Sequence, residues 1–363
     1  MTPGPGPDPP PLSEGPLVSV VLLNYNGRRF LPLWTSFLKE GYPRRELIFV
    51  DNGSTDGSAE AFERELSRSF PKVAVRFVRL PKNVGYSQGN NAGVREARGE
   101  VIAVVNNDIE VSERWIAPVV EAFREDPRLG VAQSRLYSLT DREVPDRVWN
   151  RVDPFGFAHP SPDPSGPRRE VFYAEGASLF VRRALLDDLG YFYPEEFYML
   201  GEDVDLCWRA HLLGWRVAEI AASVAWHARG GTEEGSVTKR NPRVLRAATR
   251  NRLATLYTSY GAPRLLLFLP LSGLLALARA LLLWRRGDRE HARAVLQGVV
   301  GFGRDRAFLR QRRSALQARR RSPDREVLAL MMGPFEGLLE LRSLWEETGH
   351  GRPGAGARRT AQA

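Results

Sequence analysis

The chain has 363 residues, 43% of them hydrophobic and 26% charged, with 33 glycines, 26 prolines and one cysteine. This composition excludes wholesale disorder and collagen-like repeats, the lone Cys207 excludes a disulfide framework or a CxxC zinc site, and the length suits two domains or one large domain with an appendage. The net charge of +9 is unevenly spread: residues 240–363 hold 24 Arg and no Lys against nine Asp and Glu, whereas residues 1–239 carry a net −6. A basic rear half predicts an anionic partner there, nucleic acid or phospholipid.

Residues 1–16 are rich in Pro and Gly and lack an apolar stretch, so they read as a disordered leader rather than a signal peptide. Leu17–Leu23 is a near-continuous, β-branched apolar run, the pattern of a strand buried on both faces. A helix is predicted over Arg29–Lys39, a strand over Glu46–Val50, a helix over Ser58–Ser69 and a strand over Val73–Val78. Ser87–Ala97 then reads as a helix and Val101–Val105 as a fourth strand. Strands alternating with helices of this length indicate βαβ units: an α/β domain with a mainly parallel sheet. Residues 138–170 show little periodicity and read as a lid or binding loop. The pattern resumes with the apolar Val171–Val181, helices at Arg183–Leu189 and Asp203–Leu213, and a strand near Ser223–Trp226. Cys207 falls within the second helix and reads as a small core residue, as in a reducing cytoplasm.

Behind residue 240 the composition turns helical. Leu265–Trp284 is a 20-residue apolar stretch with one charge, Arg279, and one proline, Pro270. Its length permits a membrane span, but Arg279 in the hydrocarbon would cost about 2.5–3.5 kcal/mol. Arginines at both ends give no orientation by charge asymmetry. They suit a helix or broken hairpin lying on the cytoplasmic leaflet, with the arginines on anionic headgroups. The alternative is a buried core helix.

In an open parallel sheet ligands bind at the carboxyl ends of the strands. Three polar clusters fall there: Asn24-Tyr25-Asn26-Gly27, then Asp51 through Ser58 (DNGSTDGS), then Asn106-Asn107-Asp108. Each alone could be a turn or a helix cap, but their convergence on one edge marks a site. Asp108 behind two asparagines offers oxygen ligands to a hard divalent cation. No GxGxxG follows the first strand and no GxxxxGK[ST] is present, which argues against dinucleotide-binding dehydrogenases and P-loop NTPases.

Taken together, VSVVLLNYNG, ELIFVDNGSTDGS, KNVGYSQGNNAG, VVNNDIEV, EGASLFVRR, GEDVDLCWRAHLLGW and VAWHARGGT resemble glycosyltransferase family 2, from Val18 to about Thr232. The closest pattern is that of bacterial rhamnosyltransferases. The resemblance implies a GT-A fold for residues 17–239; composition makes 240–345 a helical, basic, membrane-associating region and 346–363 a disordered tail. It also implies that Asn24, Tyr25, Asp51 and Asn107 bind the donor nucleotide, the Asp51 carboxylate accepting from the ring imide. Asp108, in the place of the last aspartate of the family's DxD motif, would bind Mg²⁺ or Mn²⁺ with His227. Asn106 stands where that motif begins with aspartate, which leaves fewer charges on the metal. Asp203 in the GEDVD cluster would be the general base, with Glu175, Gly176 and Glu202 about the donor or acceptor sugar. Asp205 reads equally as an acidic residue complementing a helix start.

The expected function is inverting transfer of a sugar from a nucleotide-diphosphate donor to a saccharide or polyprenyl-diphosphate-linked acceptor, in cell-surface polysaccharide assembly. The expected place is the inner face of the cell membrane, with a span at 265–284 as the alternative. The processive synthases' QxxRW motif is absent. Polyprenyl-phosphate glycosyltransferases share the first half of the pattern but lack the GED helix followed by Trp-His. A non-catalytic scaffold of the same fold is the remaining alternative. The Leu-rich stretch beside the basic residues points to lipid, and no nucleic-acid motif is present.

Overall fold

The computed structural model describes residues 13–146, 149–161, 166–229 and 241–337. Most of the predicted leader, the Gly-Gly-Thr after Arg229, the boundary at 239/240 and the predicted tail lie outside them. The apolar runs form β1 (Val18–Asn24), β2 (Arg45–Asp51), β3 (Val75–Arg79) and β4 (Val101–Asn106). Between them lie α1 (Leu31–Lys39), α2 (Ser58–Ser69) and α3 (Tyr86–Glu96). A 3-10 turn over Arg28–Phe30 leads into α1, whose Pro32 sits in the first turn, where no hydrogen-bonding N–H is lost. The chain continues through β5 (Ile109–Val111), α4 (Ala117–Glu125) and β6 (Leu129–Ser138). Three short strands follow: β7 (Trp149–Val152), β8 (Ala158–Pro160) and β9 (Arg168–Glu170). Then come β10 (Ser178–Arg182), α5 (Arg183–Leu189), α6 (Glu202–Leu212) and β11 (Arg216–His227).

The main sheet has the order β3-β2-β1-β4-β10-β6-β11-β5, with β9 also on β11. Strands β1, β2, β3, β4, β6 and β11 run one way, and β5, β9 and β10 oppose them. This is the mixed, mainly parallel α/β sheet the alternation implies. All seven residues of β1 are buried, alternating between two cores. Val21 and Leu23 join Trp208 and Cys207 on one face; Val20 and Leu22 join Trp34, Phe62 and Trp115 on the other.

The stretch 138–170 departs from the expectation of an irregular lid. β7 and β8 form a hairpin and β9 extends the main sheet. The hairpin is anchored by the buried Asp153, whose Oδ1 accepts from the N–H of Phe155 and Phe157 and whose Oδ2 lies 3.0 Å from the buried His159 Nε2. Such local side-chain-to-backbone bonding leaves no hydrophobic period to read.

The rear helices are α7 (Pro242–Ser259), α8 (Ala262–Arg285), α9 (Arg289–Arg304), α10 (Arg306–Arg319) and α11 (Asp324–Ala329). They share the front domain's core: Tyr260 packs edge-on to Trp208 at 4.9 Å, and Leu256, Phe268, Leu316 and Val327 join the same cluster. Leu265–Trp284 lies in one continuous helix, α8, despite Pro270, so it is not a broken hairpin. One side of it packs on the core through Phe268, Ser272, Ala276 and Ala280, and 22% of its apolar window is buried by the described residues.

Candidate functional site at the carboxyl edge of the sheet

Sheet register brings the three clusters together. Asn24 ends β1 opposite Asp51 at the end of β2, and Leu23 pairs with Asn106 at the end of β4. Because β10 runs against β4, its start delivers Gly176 and Ala177 to the same edge, where Asn106 N–H donates to Ala177 C=O at 3.2 Å. β11 ends there as well, with His227 opposite Ile109 and Ser138.

Asn24 is fully buried and organises the first half of the site. Its Nδ2 donates to Ser58 Oγ at 2.8 Å and Ser54 Oγ at 3.1 Å and lies 3.4 Å from Asp51 Oδ1, while its Oδ1 accepts from Asn107 Nδ2 at 3.1 Å. Asp51 also accepts from Ser54 N–H. Gly27 has no room for a side chain, since a Cβ there would strike Asn107 and Asn24. Tyr25 is exposed beside this polar floor.

The second half centres on Asp203. α6 begins with Glu202, Asp203 and Asp205 in its first turn, where carboxylates favour the helix dipole. Asp203 Oδ2 accepts from Gly176 N–H at 2.9 Å, and Oδ1 accepts from Tyr193 Oη at 2.8 Å. Burial raises the Asp203 pKa to about 6, against the lowering effect of those two donors. Burial, with Asp203 beside it, pushes Glu202 well above the usual carboxylate range, and its Oε2 has no hydrogen-bond partner. Burial thus disfavours ionisation of both, and Asp203 is the one whose pKa stays near neutrality. Tyr86 Oη lies 3.0 Å from both Asn106 Oδ1 and Gly176 C=O, linking the end of β4 to the Asp203 loop. Glu175 is half-buried, with its N–H on Gln133 Oε1 at 2.8 Å.

Asp205 pairs instead with Arg209 at 2.7 Å, deep in the core, and Arg209 donates to Tyr191 C=O and Phe192 C=O. The pair thus fixes the segment that carries Tyr193. Cys207 is buried and its thiol pKa is pushed up by desolvation, as suits a core residue.

Asp108 is buried, with Oδ2 3.4 Å from His227 Nε2; His227 Nδ1 lies 3.0 Å from Asp146 Oδ2, and Arg229 pairs with Asp146 on its other oxygen. Burial pulls the imidazole down, but hydrogen bonds to the two carboxylates outweigh it and hold its pKa at about 9. Among the described residues no group of three or more His, Cys, Asp and Glu is set to hold a metal. A divalent ion at Asp108 would therefore need further ligands from water or substrate phosphates, the habit of Mg²⁺. That donor set fits such an ion. Asn106 is engaged by Tyr86 through its amide oxygen, so Asp108 is the carboxylate of the NND turn available to one.

Sequence reasoning missed Tyr86, Tyr193, Ser54, Ser58 and Asp146. Tyr86 and the two serines lie inside motifs already singled out. Tyr193 sits in the aromatic Tyr191-Phe192-Tyr193, which reads as core, and Asp146 in an aperiodic stretch without a local signal.

The sheet order, with a polar edge where β10 turns back against β4, is that of a GT-A glycosyltransferase fold. The profile described as Glycosyl transferase family 2 matches residues 19–189. An uncharacterized protein of Sinorhizobium fredii is 26% identical over 226 residues, 56% of this chain and 24% of its own length. Poly-beta-1,6-N-acetyl-D-glucosamine synthase of Staphylococcus epidermidis is 22% identical over 195 residues, 53% of this chain and 45% of the synthase. The chain thus spans less than half the length of these curated relatives. Among solved structures, GalNAc-T7 crystallised with UDP, GalNAc and Mn²⁺ aligns with a TM-score of 0.55 and 17% identity, over 67% of this chain and 48% of that one. That likeness establishes the fold.

Proposed function

We propose that the chain is an inverting glycosyltransferase that uses a nucleotide-diphosphate sugar, with dTDP-rhamnose the first candidate donor and a UDP-hexose the second. The carrying observation is the hydrogen-bonded path from Asp203 through Gly176 and Tyr86 to Asn106, which ties a carboxylate of pKa about 6 to the polar sheet edge. In this reading Asn24, Asp51 and Asn107 hold the nucleotide, with the Asp51 carboxylate accepting from the base, and Tyr25 offers an exposed ring beside it.

Asp203 takes the proton of an acceptor hydroxyl as that oxygen bonds to the anomeric carbon. The bond from that carbon to the diphosphate breaks, and the nucleotide diphosphate leaves with the electron pair. A single displacement on the face opposite the leaving group inverts the anomeric centre. A base with a pKa near the working pH suits the step. Tyr193 and the Gly176 N–H orient the carboxylate, and burial disfavours a second charge on the adjacent Glu202. A divalent ion would be held by Asp108, with His227 joining it only on losing its imidazole proton, and would supply charge neutralisation at the departing diphosphate.

The acceptor in this reading is a saccharide on a polyprenyl diphosphate, used on the cytoplasmic face of the membrane in cell-surface polysaccharide assembly. The test is a donor screen with purified protein, reading release of UDP, dTDP or GDP in the presence of saccharide acceptors. Acceptor-dependent release of one nucleotide is expected. Release of none, with binding of none, overturns the reading.

A further inference from the structure

The two faces of α8 differ in kind. At 100° per residue, Phe268, Ser272, Ala276 and Ala280 line one side, and all are buried. Leu266, Leu267, Leu271, Leu274, Leu277 and Leu281 line the opposite side and are exposed, Leu266 at 77% and Leu274 at 60%. Such a row of exposed leucines is an interaction surface rather than ordinary surface scatter. No Asp or Glu occurs between Ala262 and Arg285. Arg264 lies at one end of the stripe and Arg285, Arg286, Arg289 and Arg293 at the other, all exposed. None of these five is in an ion pair among the described residues; Arg289 only lies over the Trp284 ring, 5.6 Å from its centroid.

We infer that α8 is a docking surface for an anionic phospholipid bilayer, lying along it with the leucine stripe in the acyl boundary and the arginines on headgroup phosphates. Apolar burial flanked by unpaired arginines is the chemistry of an interfacial helix. The buried side opposes a span. Ser272 Oγ donates to Phe155 C=O at 2.9 Å, and Phe268 stacks on Tyr260 at 5.3 Å and meets Phe155 edge-on at 5.8 Å. A spanning helix would give up those contacts, whereas a lying helix keeps them. Through them the β7–β8 hairpin is carried on α8, and its Asn150 C=O accepts from Phe172 and Tyr173 N–H, a few residues before Gly176. The bilayer would therefore set the height of the Asp203 loop above the headgroups. This inference deepens the membrane-confined acceptor proposed above, and its test uses neither donor nor acceptor, so either can fail alone.

The experiment is sedimentation of the full chain with vesicles of equal parts phosphatidylglycerol and phosphatidylcholine. Wild type is expected to pellet, and high salt to release part of it, since screening reaches the arginines and spares the apolar contact. Leu267→Asp/Leu274→Asp/Leu281→Asp should weaken partitioning by about tenfold or more, with circular dichroism checking the fold. Arg285→Gln/Arg286→Gln/Arg289→Gln should weaken it on anionic vesicles and leave binding to pure phosphatidylcholine unchanged. Absence of wild-type binding overturns the inference, as does complete release by salt. So does a dimer that the leucine substitutions dissociate without vesicle binding, which would assign the stripe to a second copy. Membrane protein that withstands alkaline carbonate extraction would show a span and overturn the lying orientation.

Discussion

At the carboxyl edge of the sheet, polar side chains are buried and bonded to one another: Asn24 to Asp51, Ser54, Ser58 and Asn107, and Asp203 to Gly176 and Tyr193. On the outer side of α8 the arrangement is reversed, with leucines exposed and bonded to nothing. The first arrangement is costly to disturb inside the folded chain, because a buried polar atom that loses its partner costs about 1–3 kcal/mol. The second costs the folded chain little, because a surface side chain has few contacts to lose. The edge is therefore where substitution should strike chemistry, and the stripe where it should strike location alone.

The largest effect is expected at Asp203. Asp203→Asn keeps the shape and removes the base, so turnover should fall by about 10²–10⁴-fold while nucleotide affinity stays within a few-fold. Initial rates and nucleotide titrations check both. Retention of more than a tenth of wild-type turnover would show that Asp203 is not the base. The same carboxylate predicts a pH limb. Protonated Asp203 cannot accept a proton, so kcat/KM should fall about tenfold per unit as pH drops below about 6. Raised above its ordinary value by burial, Asp203 also opposes folding at neutral pH, since the unfolded chain ionises it more readily.

Next in size is Asp108. Asp108→Ala should weaken donor binding by about tenfold or more and remove stimulation by Mg²⁺ or Mn²⁺, and EDTA should inhibit the wild type. Activity unchanged by exhaustive chelation would show that the NND turn works without an ion. Gly176→Ala should act through geometry. A Cβ there would overlap Tyr86 Oη and stand 2.9 Å from Asp203 Oδ1. Displacing the base by a fraction of an ångström should lower turnover by about 10–100-fold, with donor affinity nearly intact.

How much of this was legible in the sequence differs between the same two regions. The parallel strands and the three polar clusters were readable because β1, β2 and β4 are buried runs that end abruptly in Asn and Asp. The α8 stripe was readable as an apolar segment, but not as two faces. The buried side carries Ser272, Ala276 and Ala280, which are smaller and less apolar than the exposed leucines opposite them, so hydropathy alone would have turned the leucines inward. β5, with three residues, is too short for alternation to show. The stretch 138–170 hid both its hairpin and Asp146, because its order comes from Asp153 bonding to backbone N–H and from pairing with distant strands. Tyr193 is held beside Asp203 by the Arg209 anchor on Tyr191 and Phe192 and by Asn91, which bonds its N–H and C=O, tertiary contacts without a local period.

The smallest effect should come from the stripe itself, and it bears most directly on the contrast between the two regions. Leu274 is 60% exposed in the middle of α8. Leu274→Ser removes an apolar side chain that the folded chain hardly uses, and replaces a strong helix former by a weaker one at a cost of about 0.5 kcal/mol. Tm should move by no more than about 1–2 °C, and nucleotide release with a soluble saccharide acceptor should be unchanged, because no hydrogen bond of the sheet edge passes through this side of the helix. A Tm drop of several degrees would mean that the leucine face is already covered in solution by other parts of the chain or by a second copy. The division between a chemical edge and a locating face would then fail. An unchanged Tm and rate, beside weaker pelleting with anionic vesicles, would separate the two functions by a single substitution.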